Sequence, residues 1–196
     1  MNEPLVETFR GYLAEGGFVM MPLAAAAMVL WYFIGYRVLT LQRGSTRPVR
    51  ALVAELRRDR DRTGRGIIAR AAARGIRIVE AYPAQVRVLL DEHFFPFYQE
   101  LKKGRAVIMA IVSIAPLIGL LGTVSGMIET FDSLGDMSLF SQSGGIAGGI
   151  AEALFSTQMG LCVAIPGLIV GRLLDRRQRR FEEELDQLKA LLGGAR

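Results

Sequence analysis

Three runs of apolar residues interrupt an otherwise charged chain. Residues 17–36 and 106–128 hold no charged side chain, and 144–170 hold only Glu152. A bilayer core about 30 Å thick is crossed by about 20 helical residues, so each run is long enough to span it. Lipid offers no partner to backbone N–H and C=O groups, and three spans cannot close a barrel, so all three are predicted as helices. Between the first two, 49–103 reads as two or three amphipathic helices, with breaks near Thr63-Gly64 and Tyr82-Pro83. After the third, Leu174, Phe181, Leu185, Leu188 and Leu192 recur at spacings of 7, 4, 3 and 4, an apolar seam on a helix that continues span three. That seam packs either on the 49–103 helices of its own chain or around an axis shared with other copies.

Charge sets the orientation of this pattern. Of 24 Lys and Arg residues, 16 lie in 37–105, seven in 172–196, one in the first 16 residues, and none in 106–171. Basic residues near span ends mark the cytoplasmic side, and Arg37, Arg43, Lys102, Lys103 and Arg105 sit there. The expected order is an outer N-terminus (1–16), span one (17–36), a cytoplasmic helical loop (37–105) and span two (106–128). An outer hairpin (129–143), span three (144–171) and a cytoplasmic helical tail (172–196) follow. The fold class is thus an all-α membrane protein of three transmembrane helices. Spans two and three extend into the cytoplasm, beside a cytoplasmic helical loop domain. The leader carries three acids and one arginine where a signal peptide would be basic, so span one is read as a retained helix. Trp31, Tyr32 and Tyr36 suit an interfacial belt at its inner end. The arginine clusters of 49–103 are interleaved with acids. They fit contact with anionic membrane lipid better than nucleic acid, and no nucleic-acid partner is expected.

One cysteine and one histidine exclude a disulfide framework and a cysteine- or histidine-rich metal centre. There is no phosphate loop and no nucleophile–base set, so the chain is not read as an enzyme, and no cofactor or metal is expected. His93 reads as an interfacial or packing residue and Cys162 as a small buried one. The informative side chains lie in spans two and three. A carboxylate within hydrocarbon must face protein or water, or lie near an interface, and Glu152 is eight residues into its span. Gly148, Glu152, Ser156, Gly160 and Ala164 recur every four residues, beside Gly145, Gly149, Ala153 and Thr157. Together they form a broad small-and-polar face able to pack closely on another helix. Span two carries Gly119, Gly122 and Gly126 with Thr123 and Ser125. Pro116 and Pro166 remove one helical hydrogen bond each and favour kinks. Thr157 lies about 140° around the helix from Glu152, so one narrow line cannot hold both. Thr123 and Thr157 either bond back to the carbonyls of Gly119 and Ala153 or line a pathway.

These residues carry a resemblance. The segments APLIGLLGTVSGMIETF (115–131) and GGIAEALFSTQMGLCVAIPGLIVGR (148–172) are similar to the MotA/TolQ/ExbB proton-channel family. The likeness is greater to ExbB, and next to TolQ, than to the longer, four-span MotA. The resemblance implies a subunit of the bacterial inner membrane that forms a ring, a pentamer, around two copies of a single-span ExbD- or TolR-like partner. Spans two and three line the centre, and the partner supplies an aspartate that takes up and releases protons. Proton-motive force then moves the partner and, through a TonB-like protein, powers outer-membrane transport. Thr123 and Thr157 match the family threonines and Glu152 the family glutamate, implying roles in the proton path or partner contact. Gln158 departs from the pattern, which has a small apolar residue there. A structural scaffold and a self-sufficient cation channel are the readings from other classes.

Overall fold

A computed structural model describes residues 16–42, 48–58, 66–135 and 143–194. Six helices occupy the described residues: α1 (Met20–Thr40), α2 (Val49–Arg58), α3 (Ile67–Ala81), α4 (Val86–Lys102), α5 (Arg105–Gly135) and α6 (Ser143–Gly193). Three stretches of helix are long and apolar enough to cross a membrane, within Met20–Thr40, Val86–Gly135 and Ile146–Gly193. The protein is therefore an all-α, multi-pass membrane protein. Residues 1–15, the break near Thr63-Gly64 and hairpin residues 136–142 lie outside the described residues. α5 runs on as helix to Gly135, so 129–135 are helical, and α5 and α6 continue through Pro116 and Pro166. The turn at Tyr82–Gln85 separates α3 from α4. A further break at Lys103-Gly104 has no counterpart in the sequence reading. Gly104 adopts φ 80°, which only glycine takes without strain.

The chain forms two compact units, Met1–Phe33 with Val107–Val170, and Ile34–Ala106 with Gly171–Arg196. In the first, α5 buries one stripe: Ile108, Val112, Ala115, Gly119, Gly122, Gly126 and Thr130. The spacing of three and four keeps the stripe on one face of the helix. Opposite it, α6 buries Gly149, Ala153, Ser156, Gly160, Val163, Ala164 and Gly167. The helices meet backbone to backbone. A Cβ at Gly119 would lie 2.8 Å from the Ser156 carbonyl oxygen, and one at Gly160 would lie 2.8 Å from that of Ala115. A Cβ at Gly126 would lie 2.8 Å from the Ala153 nitrogen. With lipid as apolar as leucine, this close approach supplies the van der Waals contact that the hydrophobic effect supplies in water. α1 joins through Leu30, which borders Gly167, and Val19, just before α1, borders Gly122. The remaining surface of α5 and α6 within this unit is open and largely apolar, with Leu117 at 62% and Leu154 at 69% exposure.

The second unit is held by an apolar core and a charge network. Leu174, Phe181, Leu185, Leu188 and Leu192 are all buried. Leu192 reaches Gly75 of α3, Tyr98 of α4 donates to Asp186, and Lys189 pairs with Asp91. The tail seam thus packs on the chain's own helices. Arg37 is not a loop residue. It falls within α1 and is 1% exposed. Its guanidinium pairs with Asp175 at 3.1 Å and donates to Gln178 Oε1 at 2.5 Å, while Arg105 Nε holds the other Asp175 oxygen at 3.2 Å. Burial of the Tyr98 phenol, then its bond to Asp186, then the charges of Asp186, Glu182 and Asp91, push its pKa well above the ordinary 10.0.

Three measurements test these contacts. Gly119→Val places atoms against backbone that cannot yield. It should destabilise the detergent-solubilised protein by about 1–3 kcal/mol in thermal unfolding, whereas Gly35→Ala, which meets open space, should not. Asp175→Ala strands the buried Arg37 and should cost about 3–5 kcal/mol, more than the charge-removing Arg37→Met. A folded-state pKa above the unfolded one means that unfolded Tyr98 ionises first. Stability from this group is therefore complete below about pH 10 and is lost as pH rises further. The alkaline fall in Tm should be shallower in Tyr98→Phe than in the parent.

Candidate functional site

Four hydroxyl side chains of the first unit, Thr123, Thr130, Ser156 and Thr157, lie along the α5–α6 seam. Ser156, fully buried, donates to the Gly119 carbonyl at 3.2 Å and to the Ala153 carbonyl at 3.0 Å. Thr157 reaches the same Gly119 oxygen over a longer 3.5 Å. Thr130 is buried and bonds back to Gly126 at 2.8 Å. Thr123, half-buried, bonds to the Leu120 carbonyl at 2.7 Å. Back-bonding thus uses Leu120 for Thr123, not Gly119. On α6, Ser156 takes the Ala153 carbonyl while Thr157 turns across to α5. The cause is the glycine seam, which brings the Gly119 carbonyl within reach of α6 hydroxyls.

Glu152 lies on the other edge of the α6 stripe. It is half-buried, and its carboxyl abuts Gly17, where φ is 65° and any side chain would collide with it. The carboxyl of Glu129, from α5, neighbours it across the gap. Two acids thus face one another between the helices, beside the N-terminal end of α1. Glu129 was missed because the sequence reading placed it at the start of the hairpin. The signal was present: Glu129 follows Gly122 and Gly126 by seven and three residues, which keeps it at the edge of their stripe.

Among the remaining candidates, Gly119, Gly122, Gly126 and Gly160 lie in the seam, with Pro116 and Pro166 half-buried near it. Gly148 is exposed and a Cβ there meets nothing within 4 Å; Gly149 takes the packing position instead. Cys162 is exposed, not buried, because it stands on the face of α6 turned away from the stripe. His93 lies in the second unit, half-buried beside Arg74. No group of three His, Cys, Asp or Glu among the described residues can hold a metal ion.

Comparison with known proteins points to one family. The chain is 37% identical over 90 residues to an ExbB-like biopolymer transport protein of Synechocystis sp., covering 45% of this chain and 43% of that one. It is 41% identical over 81 residues to the biopolymer transport protein ExbB of Aquifex aeolicus, covering 41% and 54%. It is 35% identical over 85 residues to the ExbB of Neisseria gonorrhoeae, covering 43% and 38%. The matches span about half the length of these curated relatives, or less. The model of the MotA/TolQ/ExbB proton channel family matches residues 63–187, which takes in all the seam residues of α5 and α6, and the chain belongs to that family.

Proposed function

We propose that the chain is the ring-forming inner-membrane subunit of a motor driven by proton-motive force. In this reading it is of ExbB type, encloses single-span ExbD-like helices, and energises TonB-dependent transport at the outer membrane. The observation that carries the reading is the α5–α6 seam, whose hydroxyls sit on one edge and whose carboxyl pair sits on the other. The chain supplies neutral hydrogen-bonding groups and two neighbouring acids, with no cation in 106–171. A proton crossing hydrocarbon must ride on a group that can be neutral while it crosses and ionised at each end. A carboxyl on a partner helix moving past Thr123 and Thr157 meets that requirement. Glu129 and Glu152 lie toward the outer end of the seam in this reading, on the edge away from those hydroxyls. The ring is a pentamer in this reading, with two partner copies.

Reconstitution in lipid vesicles under a proton gradient tests the reading. The chain with its single-span partner should acidify the lumen, as followed by a pH-sensitive dye, and the chain alone should not. Thr157→Val and Thr123→Val should each lower the flux by about fivefold or more, the worth of one hydrogen bond. Equal flux without the partner would make the chain a self-sufficient channel. Full flux in both valine variants would leave only a scaffold role for the seam.

A further inference from the structure

Three donors converge on one oxygen in the α5–α6 seam. α5 is unbroken helix from Arg105 to Gly135, so the Gly119 carbonyl accepts the backbone N–H of Thr123, four residues on. Across the seam, Ser156 Oγ lies 3.2 Å and Thr157 Oγ1 3.5 Å from the same oxygen. A carbonyl oxygen has two lone pairs. The helical bond takes one, which leaves one place for two hydroxyls.

The two hydroxyls are not equivalent. Ser156 has a second acceptor, the Ala153 carbonyl at 3.0 Å. Among the described residues Thr157 reaches only Gly119. Each hydroxyl has a single proton to donate. Both acceptors lie within reach of Ser156 Oγ as it stands, so a turn of the O–H bond carries the donor from one to the other and no heavy atom moves. Ser156 is 0% exposed, and its side chain fills the space that a Cβ at Gly122 would need. Its hydroxyl is therefore confined to these two carbonyls. Thr157 is half-buried, and its hydroxyl is free to turn once Gly119 no longer holds it.

Two arrangements satisfy this set. In one, Ser156 donates to Ala153 and Thr157 to Gly119, and the Thr157 oxygen offers its surroundings only lone pairs. In the other, Ser156 donates to Gly119, and the Thr157 hydroxyl is released to donate elsewhere. The Gly119 carbonyl keeps two bonds in both. Ala153 never loses its helical bond from the Thr157 N–H. Without Ser156, releasing Thr157 would leave a bond to Gly119 unmade inside a dry helix contact, where no water replaces it.

We propose that Ser156 is a positioning residue for Thr157: it exchanges with Thr157 on the Gly119 carbonyl, and so lets the Thr157 hydroxyl present either an acceptor or a donor. This deepens the motor reading and rests on it only for the use made of that hydroxyl.

The test reads the Gly119 carbonyl directly. The full chain, isotope-labelled at that carbonyl alone and held in phospholipid vesicles, is compared by infrared spectroscopy with Ser156→Ala, Thr157→Val and the double variant. Each single variant keeps one side-chain donor for the oxygen, so its band should stay near the parent's position. The double variant should shift to higher frequency, as an acceptor does when it loses a hydrogen bond. A full shift in either single variant would make the replaced residue the sole donor and overturn the exchange, and so would an unshifted double variant. In the vesicle flux assay with the single-span partner, Ser156→Ala should lower flux about fivefold in the parent, the effect of one hydrogen bond. In a Thr157→Val background it should lower flux by about twofold or less, because Ser156 acts through Thr157. The same loss in both backgrounds would make Ser156 a packing residue and overturn the assignment. If the infrared exchange holds while Thr123→Val and Thr157→Val conduct as the parent does, the motor reading falls and the exchange at Gly119 stands.

Discussion

Everything in the membrane unit depends on two backbones being allowed to touch. Where a Cβ at Gly119 or Gly160 would run into carbonyl oxygen of the opposite helix, the absence of that atom sets the distance between α5 and α6. The distance then determines the chemistry. Ser156 and Thr157 can reach the Gly119 carbonyl only because the helices are that close. Glu129 and Glu152 come to neighbour one another across the same gap. Lipid does not drive apolar surfaces together, so the seam combines dense packing with interhelical hydrogen bonds. The polar groups that suit a proton pathway are also part of what joins the helices.

The two edges of the seam differ in kind. One presents hydroxyls, which can donate and accept without changing charge. The other presents acids, of which Glu152 abuts the backbone at Gly17. This separation follows from helical pitch, since Glu152 and Thr157 cannot share a line. It keeps an acidic edge and a hydroxyl edge apart on the same helix pair.

Much of this was legible in the sequence. Long charge-free runs identify membrane helices because hydrocarbon is intolerant of charge, and the three runs coincide with three long helices. The glycine rows announced a close helix contact, because small residues at spacings of three and four have little other use in lipid. The choice between neighbouring rows was less legible: Gly149, not Gly148, is at the contact, and one residue is a rotation of about 100°. Glu129 was hidden by an assumption about where a span ends, since a helix need not stop where charge begins. The exposure of Cys162 was hidden because exposure to lipid or to another protein leaves no polar signature. The burial of Arg37 was invisible for a different reason. A basic residue at a span end satisfies the orientation rule whether it faces water or, as here, an aspartate far along the chain.

That aspartate has a consequence for biosynthesis. Arg37 and Asp175 are separated by 138 positions, and translation at about 5–20 residues per second puts on the order of ten seconds between their appearances. Until α6 emerges, the Arg37 guanidinium stays in water or among headgroups at the inner end of α1, and its buried seat is completed only when Asp175 arrives.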